Sequence, residues 1–129
     1  MNLPEKKAFE LLIVEDNLRF RQMLRKVLQL RFPSFEISEA ENAEVALGLI
    51  RQRKPNVIFM DIRLPGRNGI SLTGQIKRLH PSIVIIMLTH ADTSEYQEAA
   101  LESGADYFLS KDKTTLEGIL DLVQGISGS

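Results

Sequence analysis

Five side chains able to do metal or phosphorus chemistry stand at matching places in this sequence of 129 residues, each at the end of a short apolar run. Glu15 and Asp16 follow Leu11-Leu12-Ile13-Val14, Asp61 follows Val57-Ile58-Phe59-Met60, Thr89 follows Ile83 to Leu88, and Lys111 follows Tyr107-Phe108-Leu109 closely. If those runs are strands of one sheet, three carboxylates, a hydroxyl and an amine converge on one edge. Carboxylates so gathered repel and raise one another's pKa unless a cation neutralises them. An all-oxygen donor set suits Mg²⁺, which commonly binds carboxylates together with phosphate oxygens. A carboxylate is also a nucleophile toward phosphorus and can form an acyl phosphate. Such transfer depends mainly on in-line positioning and on neutralising the equatorial oxygens. On this reading Asp61 is the phospho-acceptor, Asp16 and Asp61 hold the cation, and Glu15 joins it through water or as a neighbour of the ligands. Lys111 neutralises the other side of the phosphoryl group, and Thr89 donates a hydrogen bond to it.

Taken singly, each residue has a plainer explanation: a helix N-cap for Asp16 or Asn17, a turn for Asp61, a backbone-bonded hydroxyl for Thr89, a solvated cation for Lys111. Their weight comes from the elements that bring them together. Phe9 to Val14 reads as a strand covered on both faces, followed by the helical stripe Phe20, Met23, Leu24, Val27, Leu28, which Phe32-Pro33 closes. Phe35–Ala40 reads as a second strand and Ala43–Arg53 as a second helix, with Ala46, Leu49 and Ile50 inward. The third strand is Val57–Met60, and a Pro- and Gly-containing loop then leads to a helix over Ile70–Leu79, broken by His80-Pro81. Ile83–Leu88 is the fourth strand. A fourth helix starts near Asp92, where Asp92 and Glu95 have capping-box spacing, and ends at Ser103-Gly104. Tyr107–Leu109 is the fifth strand, and Leu116, Ile119, Leu120 and Val123 form the last helical stripe. Strands alternating with helices across short loops predict an α/β doubly wound, five-stranded parallel sheet, with ligands bound outside the carboxyl ends of the strands. Residues 8–125 are read as one domain, and 126–129 as a tail or the start of a linker.

In this order these residues resemble the receiver domain of two-component response regulators, from about Phe9 to Val123. The acidic pair Glu15-Asp16, then Asp61-Ile62-Arg63-Leu64-Pro65-Gly66-Arg67-Asn68-Gly69 in place of the family's Asp-x-x-Met-Pro-x-x-x-Gly, then Thr89 and Lys111, carry the likeness. The resemblance implies a flavodoxin-like (CheY-like) fold with strand order 2-1-3-4-5. It implies phosphorylation of Asp61 by a sensor histidine kinase or phosphotransfer protein. Mg²⁺ would be held by Asp16, Asp61 and the Arg63 backbone carbonyl, and Phe108 would be the aromatic switch residue. It further implies a switch rather than an enzyme, located in the cytoplasm, that controls transcription through an output domain outside these residues. A homodimer would form through the fourth helix, fifth strand and fifth helix. Departures from the family pattern are Leu64 for methionine, a volume-conserving change, Asp112 after Lys111 where many members have proline, and His90 after Thr89 where a small residue is common. His90 and Arg63 therefore stand where they would modulate access to Asp61. Phe108 has no hydroxyl, so any switching by it rests on ring burial.

The composition agrees with a single domain. Hydrophobic residues make up 43% and charged residues 26%, enough for a core and a solvated surface. A net charge of -1 gives no basic field for nucleic acid or anionic membrane. Without cysteine there is no disulfide, thiolate metal site or thiol nucleophile, and no apolar run approaches the roughly 20 residues of a membrane span. The basic stretch Arg19, Arg21, Arg25, Lys26 reads as the solvated face of the first helix, and His80 as a dipole partner at a helix end. A haloacid-dehalogenase-type phosphatase would need an aspartate where Arg63 stands. A nucleotide or flavin carrier would need a Gly- or Ser/Thr-rich loop where Val14-Glu15-Asp16-Asn17 would repel phosphate. The remaining alternative is a receiver fold used for docking or dimerisation, with weak or no phosphorylation.

Overall fold

The computed structural model describes residues 7–128. Its elements are β1 (Glu10–Val14), α1 (Leu18–Arg31), β2 (Glu36–Ala40), α2 (Ala43–Gln52), β3 (Val57–Met60), β4 (Arg63–Leu64), β5 (Arg67–Asn68), α3 (Gly69–Leu79), β6 (Val84–Thr89), α4 (Ser94–Glu102), β7 (Tyr107–Ser110) and α5 (Leu116–Ser127). The main sheet is parallel and runs β2-β1-β3-β6-β7. Once the two-residue antiparallel pair β4/β5 is set aside, this is the order 2-1-3-4-5 of a doubly wound, flavodoxin-like sheet.

The near-continuous apolar strands are explained by burial on both faces. Leu12, Val14, Ile58, Met60, Ile85 and Met87 point to one side, where they meet Ala46 and Ile50 of α2, Leu72 and Ile76 of α3 and Ala100 of α4. Their alternates Leu11, Ile13, Val57, Phe59, Ile86 and Leu88 face Leu24 and Leu28 of α1 and Ile119 and Val123 of α5. The strand period of two thus feeds two separate cores, each filled by helices of period 3.6. Every aliphatic or aromatic side chain fully buried there is worth about 1.5–3 kcal/mol relative to exposure.

Four local expectations are corrected. The fourth helix does not begin at Asp92: Thr93 is its N-cap, its hydroxyl accepting the Tyr96 N–H at 3.3 Å. Asp92 instead accepts a hydrogen bond from the Ser110 hydroxyl at 2.6 Å, so a contact from the β6–α4 loop to the end of β7 took the carboxylate that a cap would have used. Leu116 is 42% exposed and does not join the stripe of α5. That helix also continues through Ile126 to Ser127, with Gly128 as a left-handed cap at φ +73°, because Ile126 still packs on the core. Finally, the Pro65-Gly66 loop is a short hairpin, with Gly66 supplying the positive φ of +73°.

Candidate functional site

Backbone ladders that run past the strand ends place the polar residues. The Glu15 N–H donates to Ala40 O at 3.0 Å, the Asp61 N–H to Val14 O at 3.1 Å and the Lys111 N–H to Thr89 O at 2.9 Å. Glu15, Asp61 and Thr89 are buried as a result, while Asp16 stays exposed beside them. One ligand oxygen from each of Glu15, Asp16 and Asp61 lies within 4.8 Å of the others. The Thr89 hydroxyl donates to Asp61 Oδ1 at 2.7 Å and itself accepts the Ala91 N–H at 3.1 Å. Lys111 Nζ donates to Asp61 Oδ2 at 3.2 Å and to Glu15 Oε1. Its side chain is only 5% exposed, so the solvated-lysine explanation does not hold.

Electrostatics follow from this packing. Burial pushes the Glu15 carboxyl up to about 7, against the opposing hydrogen bonds from Lys111 and the Asn17 N–H. With all three ionised, three carboxylates meet one ammonium, an excess of negative charge that a small divalent cation would relieve. The all-oxygen set fits Mg²⁺ better than a softer metal, and Glu15, Asp16 and Asp61 are the residues able to hold it.

The turn after Asp61 is fixed by sterics. The Arg63 N–H donates to Asp61 Oδ1 at 3.3 Å, and the Gly69 N–H to Ile62 O at 2.7 Å. A Cβ at Gly69 would lie 1.9 Å from Asp61 O, so only glycine lets α3 start this close. The site opens as a cleft whose rim includes Arg19, Arg63 and His90. His90 Nδ1 lies 3.0 Å from Asp112 Oδ1, so two of the three positions that depart from the family pattern touch each other across neighbouring loops. The peptide bonds of the described residues, Lys111-Asp112 included, are trans. Phe108 is half-buried against the α2–α4 side of the core, in register with Met87.

Two contributors escape the sequence patterns. Phe20 packs on the core as the first residue of the α1 stripe, and its ring also lies under Lys111 Nζ, 4.2 Å from centroid to nitrogen. Arg21 is not part of a solvated face. Its guanidinium donates to Glu15 O at 2.6 Å and to Glu39 Oε1 at 2.9 Å, and Arg25 donates to Glu39 Oε2 at 2.8 Å. Although burial works the other way, these two guanidiniums hold the Glu39 carboxyl below its usual range. No sequence signal marks either role, because both depend on how α1 crosses β1 and β2.

Comparison with known proteins agrees with this geometry. A family model described as the response regulator receiver domain matches residues 11–123. The chain is 35% identical to the chemotaxis protein CheY of Halobacterium salinarum, over 81% of this chain and 85% of that one. It is 39% identical to the phosphate regulon transcriptional regulatory protein PhoB of Pseudomonas aeruginosa, over 78% of this chain but only 44% of that one. Among solved structures, the signal receiver domain of a DNA-binding response regulator from Colwellia psychrerythraea superimposes with a TM-score of 0.88 at 27% identity, covering 95% of this chain and all of that one.

Proposed function

The chain belongs to the response regulator receiver family of two-component signalling, and from that premise we propose that Asp61 is its phospho-acceptor, charged by a sensor histidine kinase or phosphotransfer protein with Mg²⁺. The observation that carries this reading is the network on Asp61 itself. Its two carboxylate oxygens are held by Thr89, the Arg63 N–H and Lys111, beside two further carboxylates.

In the transfer, an Asp61 carboxylate oxygen forms a bond to phosphorus while the phosphorus–nitrogen bond of a phosphohistidine breaks. The electron pair returns to the imidazole. When bound, Mg²⁺ supplies charge neutralisation for the phosphoryl oxygens. Asp16 and Asp61, with the Arg63 carbonyl, would hold it, and Glu15 would take part through water or as a neighbour. Lys111 offers its ammonium to the opposite side. Thr89 turns its hydroxyl from Asp61 to a phosphoryl oxygen, and because that hydroxyl also holds the Ala91 N–H, the turn pulls on the loop that leads to α4. Phe108 responds by a change in ring burial, and His90 and Arg63 at the rim set access.

In this account the domain begins at about residue 8 and runs to the end of α5, and it is a switch that assists its own modification. The face of α4, β7 and α5 is its readout and homodimer surface. A DNA-binding output is suggested by relatives such as PhoB, named as a transcriptional regulatory protein. Incubation with acetyl phosphate and Mg²⁺ should add one phosphoryl group by intact mass in the native protein and none in Asp61→Asn. No gain in the native protein would leave the docking-module alternative standing.

A further inference from the structure

Lys111 has three side-chain partners among the described residues, and they differ in what happens to them when the site works. Glu15 and Asp61 are anionic and belong to the acid cluster. The third, the face of Phe20, is neutral and has no lone-pair donor for a metal ion and no hydrogen-bonding group for a phosphoryl oxygen. Resting on the receiver reading above, we infer that Phe20 is a positioning residue whose ring seats the Lys111 ammonium at the mouth of the pocket throughout the phosphorylation cycle.

The placement of the ring is not accidental to the helix. Asn17 caps α1 by accepting the Phe20 N–H at 2.9 Å, and the Asn17 N–H donates to Glu15 Oε2 at 3.1 Å. The backbone of Phe20 is therefore tied through one cap residue to the same carboxylate that holds Lys111. An ammonium 4.2 Å from the ring centroid is well inside the range of cation–π attraction, which strengthens when the cation is desolvated. With its side chain 5% exposed, Lys111 meets that condition. An incoming phosphoryl group competes with Glu15 and Asp61 for the ammonium, since all three are anions. The ring does not compete as an anion: it holds the cation while leaving its N–H donors free to turn. A carboxylate in its place would hold Lys111 more tightly and lower its availability to phosphate.

The test separates the ring's electrostatics from its bulk. Phe20 is replaced site-specifically by 4-fluoro-, 3,5-difluoro- and 3,4,5-trifluorophenylalanine, which drain the face of negative charge at nearly constant size. The first readout is the Lys111 ammonium signal in nitrogen-15 NMR, without any phosphodonor. Exchange of its protons with water should accelerate with each added fluorine. The second is the rate of phosphorylation by acetyl phosphate with Mg²⁺, which should fall roughly 2- to 5-fold in Phe20→Leu and recover in Phe20→Trp. Equal ammonium exchange across the fluorine series would overturn the proposal, even if Phe20→Leu slows phosphorylation, because packing alone would then explain the loss. A graded exchange series with no phosphorylation of the native protein would uphold the seat and refute the phospho-acceptor reading on which its purpose rests.

Discussion

Helices α1 and α4 flank the acid cluster from different sides, and they are held to the sheet by very different means. α1 has 14 residues, buries Leu24 and Leu28 completely and is tied to β2 through Arg21, Arg25 and Glu39. It is also tied to α5 through Arg31, which donates to Gln124 at 2.5 Å. α4 has nine residues and buries only Ala100, while Leu101 is 45% exposed. The helix that supplies Phe20 and braces Glu15 is thus an anchor. The helix next to Thr89 is lightly held, and lightly held elements are the ones that open or shift at little cost. A switch needs both: a fixed side to define the chemistry and a loose side to report it.

The contrast breaks if truncating either helix costs the same. Leu28→Ala should lower unfolding free energy by about 2–5 kcal/mol in urea titration, whereas Ala100→Gly should cost about 1 kcal/mol. Gly69→Ala should cost about 1–3 kcal/mol by the same measurement, since its Cβ meets backbone that cannot move away, and it should slow phosphorylation of Asp61 as well. Arg21→Met removes the donor to Glu15 O and leaves Glu39 with Arg25 alone. A loss of about 1–3 kcal/mol is expected, together with weaker Mg²⁺ binding by calorimetry. An unchanged affinity would reduce Arg21 to a purely structural brace.

Acidity sharpens the same comparison at the anchored side. Because the Glu15 carboxyl is raised from 4.5 to about 7, the folded state holds that proton more tightly than the unfolded chain. Its stabilising contribution is full below the unfolded value and is lost as pH rises through about 7. In the absence of divalent cations, Glu15→Gln should therefore gain in Tm over the native protein between about pH 5 and pH 8, by roughly 3–6 °C. Mg²⁺ should narrow the gap at the higher pH. The smallest effect is expected at α4: Thr89→Ala should abolish the change in α4 amide exchange that beryllofluoride induces in the native protein, with little effect on α1.

The sheet and the five polar residues at its edge were legible because strand ends are marked by abrupt changes from apolar to charged residues, as at Met60-Asp61 and Val14-Glu15, whereas the strand order followed only from the family resemblance. What stayed hidden shares one cause. Phe20 and Arg21 sit in a helical pattern whose apolar and basic positions have ordinary roles in isolation. Only the crossing of α1 over β1 and β2 turns one into a seat for Lys111 and the other into a clamp on Glu15. Asp92 misled for a similar reason, since a helix cap and a hydrogen bond from a loop to a neighbouring strand end ask for the same side chain. The contact between His90 and Asp112 joins loops 22 positions apart, a distance at which sequence spacing says nothing.

The central claim concerns one carboxylate, and acyl phosphates can be located chemically. After incubation with acetyl phosphate and Mg²⁺, borohydride reduction converts a phosphorylated aspartate to homoserine, which peptide mass spectrometry places in the sequence. Homoserine at position 61 alone, absent from Asp61→Asn and reduced in Lys111→Ala, is the predicted result. Homoserine at Asp16 or elsewhere, or none while a phosphoryl group is present on the intact protein, would contradict it.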